Sequence, residues 1–130
     1  MKKTPLDSPI EKAATFRRIL ASYRYSMQGL RRLWREAAFR QEVYAFAGGI
    51  VLFAAVGASF ADYSVFLVLM LILFAVESLN TAIEELVDRI SPEISTVGRH
   101  AKDLGSFAVF CLLCANGLFA LYVVVRSFWS

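Results

Sequence analysis

The chain has 130 residues, of which 58% are hydrophobic, and its formal net charge at neutral pH is +3. This length fits one domain at most, and the apolar fraction is above that of ordinary soluble proteins. The apolar residues are concentrated in three stretches, Val43 to Ala61, Val65 to Val76 and Phe107 to Val125. This distribution excludes a soluble globule and predicts an all-α membrane protein.

The region before the first apolar stretch is basic and amphipathic. Residues Met1 to Pro9 carry two prolines and two lysines without an apolar period, which predicts a disordered tail. From Ile10 to Leu20, apolar and basic positions alternate at helical spacing, which predicts a helix lying on the membrane. A second amphipathic stretch, GLRRLWREAAFRQE, begins at Gly29 and is expected to run into the first span. We therefore expect surface helices over about residues 10–42, anchored by basic residues on anionic lipid.

Three spans are predicted within a single domain over residues 10–130, at about 43–61, 64–90 and 102–126. The first and third are nearly free of charge and close to the length of about 20 residues that crosses a bilayer. The middle span is apolar at first and continues as ESLNTAIEELVDRI, so its polar half must lie against protein or at the interface. A short loop at Ala61 to Tyr63 makes the first two spans a hairpin, and Ser91-Pro92 is predicted to end the second helix.

The basic residues predict the orientation. Ten of the fourteen lysines and arginines precede the first span, and three more, Arg89, Arg99 and Lys102, lie at the facing ends of the second and third spans or between them. Because lysine and arginine near span ends remain on the cytoplasmic side, the N-terminus and the second loop are expected to be cytoplasmic.

One face of the middle helix is polar. Five side chains fall within about 100° of one another on a helical wheel: Glu77, Asn80, Thr81, Glu84 and Asp88. A carboxylate at the bilayer centre costs at least about 2.5 kcal/mol, so such a stripe should face protein, water, metal or substrate. An ordinary solvated helix end would explain Asp88, but it explains Glu77 poorly, because Glu77 directly follows the apolar run.

Two further polar elements are expected at the same membrane level. Lys102, Asp103 and Ser106 lie where the third span begins, although Asp103 is also consistent with an ordinary charged helix start. Glu36 stands among arginines at the entrance to the first span. Carboxylates, an amide and cations together suit the transfer of a phosphoryl group from a magnesium nucleotide. The chain has no P-loop and no glycine-rich kinase loop, so these residues alone predict only an acidic site at the cytoplasmic face.

Three motifs carry a resemblance that is more specific. EAAFRQE (Glu36 to Glu42), VESLNTAIEELVDRI (Val76 to Ile90) and AKDLGS (Ala101 to Ser106) resemble, in order and spacing, the small prokaryotic diacylglycerol kinase family. The resemblance implies a homotrimer of three-helix protomers in the bacterial inner membrane, each with an N-terminal surface helix. It also implies active sites shared between protomers, with ATP and diacylglycerol as substrates. No nucleic-acid partner is expected, because apolar residues are interleaved among the arginines and a membrane span follows them.

The resemblance also implies roles for individual residues. Glu77 matches the general base of the family, and Glu36 and Glu84 match the glutamates that bind Mg²⁺. The positions that match nucleotide contacts are Arg18, Tyr25, Glu36, Glu84, Lys102 and Asp103. Asn80 and Ser106 are assigned to substrate binding. The sequence departs from well-known members in having one residue fewer between Gly29 and Glu36 and in its loop EISTVGRH, which leaves nucleotide contacts at Glu93 to Ser95 open.

Two other functions remain open at this point. The same fold can phosphorylate undecaprenol, although EAAFRQE resembles the diacylglycerol branch more closely. A small ion transporter would use Glu77 and Glu84 to line a pathway, but the outer halves of the spans offer little beyond Asn116 and Ser59. Asn116, Gly117 and the pair Gly48-Gly49 are expected to serve close packing or hydrogen bonding between helices. Cys111 and Cys114 are expected to be small apolar helix residues.

Overall fold

A computed structural model describes residues 9–90 and 95–129 of the chain. These residues form four α-helices: α1 (Pro9–Leu33), α2 (Ala37–Val56), α3 (Phe60–Ile90) and α4 (Thr96–Trp129). α2, α3 and α4 are each long and apolar enough to cross a membrane, so the predicted all-α class with three spans is confirmed. The helix end predicted at Ser91-Pro92, and all of the predicted tail except Pro9, lie outside the described residues.

The first of two compact units contains α1 and ends at Arg35. Glu11 in the first turn and Arg31 and Arg32 in the last turn complement the helix dipole. The amphipathic stretch from Gly29 is divided between two helices: its first part ends α1, and its second part, from Ala37, runs into the first apolar helix. α1 ends at Leu33, and Glu36 adopts extended angles (φ −80°, ψ 127°) before α2 begins at Ala37. An extended residue interrupts the helical hydrogen-bond ladder, so the surface helix and the span are separate elements.

The second unit, from Glu36 onward, contains the three apolar helices. A tight turn joins α2 to α3: Gly57 adopts the left-handed conformation (φ +71°), and the N–H of Ala58 donates to the carbonyl of Phe53 at 2.9 Å. Ser59 and Asp62 then cap α3 reciprocally, because the Ser59 N–H donates to Asp62 Oδ2 at 2.9 Å and the Asp62 N–H donates to Ser59 Oγ at 3.2 Å. Ala61 to Tyr63, predicted to form the loop, therefore lie in the first turn of α3.

The core of this unit lies where α2, α3 and α4 meet. Phe53 is fully buried, and its ring centroid lies 4.8 Å from that of Phe66 and 6.2 Å from that of Phe119. Gly49 permits the close approach of Phe66, since a Cβ at Gly49 would lie 2.5 Å from Cζ of that ring. Deeper in the unit, Asn116 Nδ2 donates to the carbonyl of Leu69 on α3 at 3.4 Å, which is the expected hydrogen bond between helices.

Candidate active site

The polar stripe of α3 is buried in the helix bundle where it adjoins the apolar run. It becomes progressively more exposed toward the C-terminal end of α3. Glu77, Asn80 and Thr81 retain only 5%, 8% and 6% of their possible exposure. One turn further along, Glu84 is half-buried, and Asp88 is exposed. Burial of Glu77 within the bundle is not what an ordinary solvated helix end would give. The stripe therefore combines buried polar side chains at one end with solvent-exposed ones at the other.

Carboxyl groups from α2 and from its N-cap meet this stripe. The carboxyl group of Glu42 on α2 lies close enough to that of Glu77 to interact with it, and Glu42 is itself only 6% exposed. The carboxylates of Glu36 and Glu84 lie near enough to Glu77 to act on it electrostatically. Glu36 is the N-cap residue of α2, but its side chain does not cap the helix. Two of the predicted site residues, Glu36 and Glu84, thus lie within electrostatic range of a third, Glu77.

Asn80 connects the stripe to α4. Its Nδ2 donates to Glu84 Oε1 at 3.3 Å, which holds the Glu84 carboxylate on the stripe. Its buried Oδ1 has no hydrogen-bond partner within the described part of the chain. On α4, Gly105 faces this amide so closely that a Cβ there would lie 3.2 Å from Asn80 Cγ. Asn80 is therefore fixed between a carboxylate of its own helix and the backbone of α4.

The start of α4 brings a cation to the outer end of the stripe. Lys102 Nζ forms an ion pair with Asp88 Oδ1 at 2.5 Å, and the side chains of Lys102 and Asp88 are 40% and 68% exposed. Asp103 and Ser106 are exposed on α4, as is His100. The Ser95 hydroxyl accepts a hydrogen bond from the Gly98 N–H at 3.0 Å, so it caps α4. Glu93, with which a nucleotide contact was left open, lies outside the described residues.

The remaining two predicted nucleotide contacts lie on the other unit. Arg18 and Tyr25 are both exposed on α1. Exposure leaves both side chains available to a ligand, and their roles stay predictions.

The donor set fits a metal ion that arrives together with a nucleotide. Among the described residues, no group of three or more His, Cys, Asp or Glu side chains is arranged to hold a metal ion. Mg²⁺ is usually held by one or two carboxylates together with substrate phosphates and water, so a complete protein cage is not required. Glu36 and Glu84 supply two carboxylates near the buried Glu77, which agrees with that arrangement.

Two residues of this site were given no role from the sequence. Glu42 lies in the quoted EAAFRQE motif, but only the fold shows that it contacts Glu77, 35 positions later in the chain. Gly105 lies in AKDLGS, and its contact with Asn80 likewise joins two helices. The available signal was an acidic residue at the start of an apolar span, where an unpaired charge is costly.

Comparisons with known proteins agree with this arrangement. Residues 24–124 match the profile of the family described as Prokaryotic diacylglycerol kinase, which covers all of the site except Arg18. A diacylglycerol kinase of a Sinorhizobium species is 52% identical over 117 residues, which are 90% of this chain and 85% of the relative. The diacylglycerol kinase of Escherichia coli K12 is 44% identical over 100 residues, covering 72% of this chain and 78% of the relative. That of Haemophilus influenzae is 36% identical over 101 residues, covering 77% and 86%.

The match extends through all three apolar helices and includes the cluster of carboxyl groups at Glu36, Glu77 and Glu84. The relatives carry one name, and each aligns over most of its own length. This chain, with its three membrane-spanning helices, therefore belongs to the prokaryotic diacylglycerol kinase family and is a kinase.

Proposed function

We propose that this protein transfers the γ-phosphoryl group of ATP to the primary hydroxyl of diacylglycerol, giving phosphatidic acid and ADP at the cytoplasmic face of the inner membrane. The observation that carries the proposal is the position of Glu77. Its carboxyl group is 5% exposed and stands at the boundary between the apolar run of α3 and the polar stripe. A lipid whose chains lie in the hydrocarbon would present its hydroxyl at this boundary.

Glu77 acts as the general base. It accepts the proton of the lipid hydroxyl while the hydroxyl oxygen attacks the γ-phosphorus of ATP, and the bond from this phosphorus to the β–γ bridging oxygen breaks to release ADP. Such proton transfer contributes about 10²- to 10⁴-fold to a rate when the base lies within hydrogen-bonding reach. Asn80 and Ser106 are assigned to the lipid side of the site.

The nucleotide is held at the outer part of the stripe. Glu36 and Glu84 would hold Mg²⁺, which neutralises phosphate charge when bound, and Asn80 orients the Glu84 carboxylate through its 3.3 Å hydrogen bond. Lys102 provides an ammonium group for the phosphate oxygens, and Asp103, Arg18 and Tyr25 provide the other nucleotide contacts. In this proposal ATP, the phosphoryl donor, binds at the exposed end of the stripe, and the lipid binds at the end next to the apolar run.

The exposed apolar surface of the helices supports an oligomer, and the distribution of basic residues supports an orientation in the membrane. α2 to α4 leave many large apolar side chains exposed, including Val51, Leu67 and Val68, and three helices enclose a polar site incompletely. Both features support a homotrimer in which neighbouring protomers complete the site. The ten basic residues before the first span support a cytoplasmic N-terminus and a cytoplasmic active site.

The test is phosphatidic acid formation by the purified protein in mixed micelles that contain dioleoylglycerol, ATP and Mg²⁺. The wild type should be active, and Glu77→Gln should lose at least about 100-fold in kcat. Glu85→Gln, the same change at an exposed carboxylate of α3, is the matched control and should retain activity. Parallel micelles contain undecaprenol in place of diacylglycerol. Turnover of undecaprenol alone would change the assigned acceptor, and turnover of neither lipid would refute the proposal.

A further inference from the structure

A groove follows the apolar part of α3 away from Glu77, and it carries an inference that rests on the proposed function. The groove has a volume of about 360 Å³ and is formed by all three apolar helices. Its floor is the buried face of α3, with Phe66, Met70 and Leu73 at 4%, 2% and 1% exposure. Its walls are exposed residues, among them Gly48 and Leu52 on α2 and Leu113 on α4. The groove is therefore buried at its floor and open to the surface of the bundle.

The floor lies on the same face of α3 as the proposed base. Phe66, Met70, Leu73 and Glu77 follow one another at intervals of four, three and four residues, which keeps them on one side of a helix. At about 1.5 Å per residue, the floor extends about 16 Å from Glu77. One leaflet of the hydrocarbon core is about 15 Å deep, which is half of the roughly 30 Å between the two headgroup layers. The groove therefore extends from the base into the hydrocarbon by about the depth of one leaflet.

The groove begins at a polar group and is preformed by the packing of the helices. Glu42, near the start of α2, lines the end closest to the polar stripe, because α2 and α3 are antiparallel. A Cβ at Gly48 would meet nothing within 4 Å, so the described side chains leave this part of the groove open. Deeper in the groove, Asn116 donates to the carbonyl of Leu69 at 3.4 Å, which holds the wall formed by α4 against α3.

The dimensions and the lining indicate what can occupy the groove. Apart from Glu42 and Asn116, its lining consists of apolar side chains and glycine, in which water or a polar group would lose hydrogen bonds. A volume of about 360 Å³ over this length corresponds to a width of about 5 Å, whereas a helix with its side chains is about 10 Å across. The groove is thus suited to a single hydrocarbon chain and is too narrow for a helix of a second copy.

We propose that this groove holds one acyl chain of the diacylglycerol acceptor and thereby places the lipid hydroxyl at Glu77. The second acyl chain stays in the surrounding bilayer. Because lipid chains are as apolar as the side chains of the groove, transfer of a chain from the bilayer contributes little free energy. The contribution of the groove is orientation, since a chain held along α3 restricts the hydroxyl to positions near the base.

Two substitutions narrow the groove without changing the polar stripe. Gly48→Leu adds a side chain where the groove is open, at about 9 Å along α2 from Glu42. Leu52→Phe enlarges an exposed side chain one turn deeper and remains informative if Gly48→Leu does not fold. Ala47→Leu and Val51→Phe are the matched controls, because both positions are exposed on α2 and do not line the groove.

The experiment measures kcat/KM for dioleoylglycerol and for dihexanoylglycerol in mixed micelles, together with KM for ATP. Gly48→Leu and Leu52→Phe should lower kcat/KM for dioleoylglycerol by about tenfold or more, as expected for a side chain added to an occupied site. The loss should be smaller for dihexanoylglycerol, because a short chain fills less of the groove. KM for ATP should not change, and the controls should behave like the wild type. A loss that depends on chain length is a result that general damage to the fold would not give.

Thermal midpoints and light scattering in detergent accompany the kinetics and identify the results that would overturn the inference. Equal losses with the two lipids, or no loss with either, would show that the acyl chain does not lie in the groove. Unfolding of both groove variants with the controls folded would assign the space to packing. A smaller particle for Gly48→Leu but not for Ala47→Leu would assign it to a neighbouring protomer. These results leave the proposed function standing if the wild type phosphorylates dioleoylglycerol, whereas an inactive wild type would refute that function itself.

Discussion

Gly105 of α4 lies directly against the side chain of Asn80 of α3, and a Cβ atom at Gly105 would stand 3.2 Å from Asn80 Cγ. This contact brings the backbone of α4 against the polar stripe at the point where Asn80 orients Glu84 through a 3.3 Å hydrogen bond. The two helices can approach so closely only because position 105 has no side chain.

Gly105→Ala should therefore disturb both packing and catalysis. The added methyl group forces Asn80 or α4 to move, which should lower the free energy of unfolding by about 1–3 kcal/mol and also lower kcat. Gly117→Ala, in the same helix, is the matched control because a Cβ there meets nothing within 4 Å. Thermal denaturation in detergent and turnover in mixed micelles check the pair. Equal behaviour of the two variants would contradict the close contact.

Two adjacent glycines on α2, Gly48 and Gly49, allow a similar comparison that tests core packing without changing the candidate active site. A Cβ at Gly49 would lie 2.5 Å from the ring of Phe66, whereas a Cβ at Gly48 meets nothing within 4 Å. Phe66 cannot move away easily, because its ring packs against Phe53 and Phe46 with centroid distances of 4.8 and 5.4 Å. Gly49→Ala should lower the thermal midpoint, while Gly48→Ala should leave it unchanged or raise it slightly. A lower midpoint for Gly48→Ala alone would be inconsistent with this packing.

The sequence predicted much of this architecture because the relevant signals are local. Hydropathy and charge identified three spans, and helical periodicity placed Glu77, Asn80 and Glu84 on one face of α3. The structure departs from the sequence pattern at places where local signals compete. The basic pattern continues across Trp34 to Glu36 although the helix does not, and the polar residues near Asp62 resembled a loop although they form a cap inside the first turn of α3.

The sequence could not predict contacts between distant positions. Glu42 and Glu77, or Gly105 and Asn80, become neighbours only after the helices pack, and no spacing rule within one helix relates them. The resemblance to a known family supplied the roles of Glu36, Glu77 and Glu84, which burial and proximity support but do not test.

Asn80 should matter through Glu84. Asn80→Ala removes the amide that donates to Glu84 Oε1, so the carboxylate proposed to hold Mg²⁺ loses its orientation. The Mg²⁺ concentration needed for half-maximal activity should rise by about 10- to 100-fold, the range reported for groups that orient metal ligands. Ser78→Ala, at an exposed position of the same helix, should leave the Mg²⁺ dependence unchanged. An unchanged Mg²⁺ dependence in Asn80→Ala would show that Glu84 does not need this amide.

Lys102 and Asp88 form one ion pair, but they should differ in their effect on activity. Their side chains are 40% and 68% exposed, so solvent screening should leave the pair with little effect on stability. Lys102→Met removes the cation proposed to bind ATP phosphates and should raise KM for ATP by about tenfold or more. Asp88→Asn breaks the same ion pair but keeps the ammonium group, so it is the control. If both variants raise KM equally, the ion pair rather than the free cation is what the nucleotide needs.

Asp62 and Arg126 should affect stability without affecting catalysis. They form an ion pair between the first turn of α3 and the last turn of α4, on the order of 22 Å along α3 from Glu77 at 1.5 Å per residue. Asp62 is 4% exposed, and it also accepts the Ser59 N–H at 2.9 Å. Arg126→Met leaves this carboxylate without its cation and should lower the free energy of unfolding. The loss is smaller than for a fully buried pair because the Arg126 side chain is 43% exposed.

The double variant Asp62→Asn/Arg126→Met removes both charges and should regain part of this stability, because no uncompensated carboxylate remains buried. Arg99→Met, at an exposed position of α4, controls for the loss of a positive charge from the helix. Thermal unfolding in detergent gives the stabilities, and turnover in mixed micelles at a temperature where all variants are folded gives kcat. A double variant less stable than Arg126→Met would show that Asp62 contributes chiefly through its bond to Ser59. A large fall in kcat in folded Arg126→Met would show that this end of the bundle is coupled to the site at Glu77.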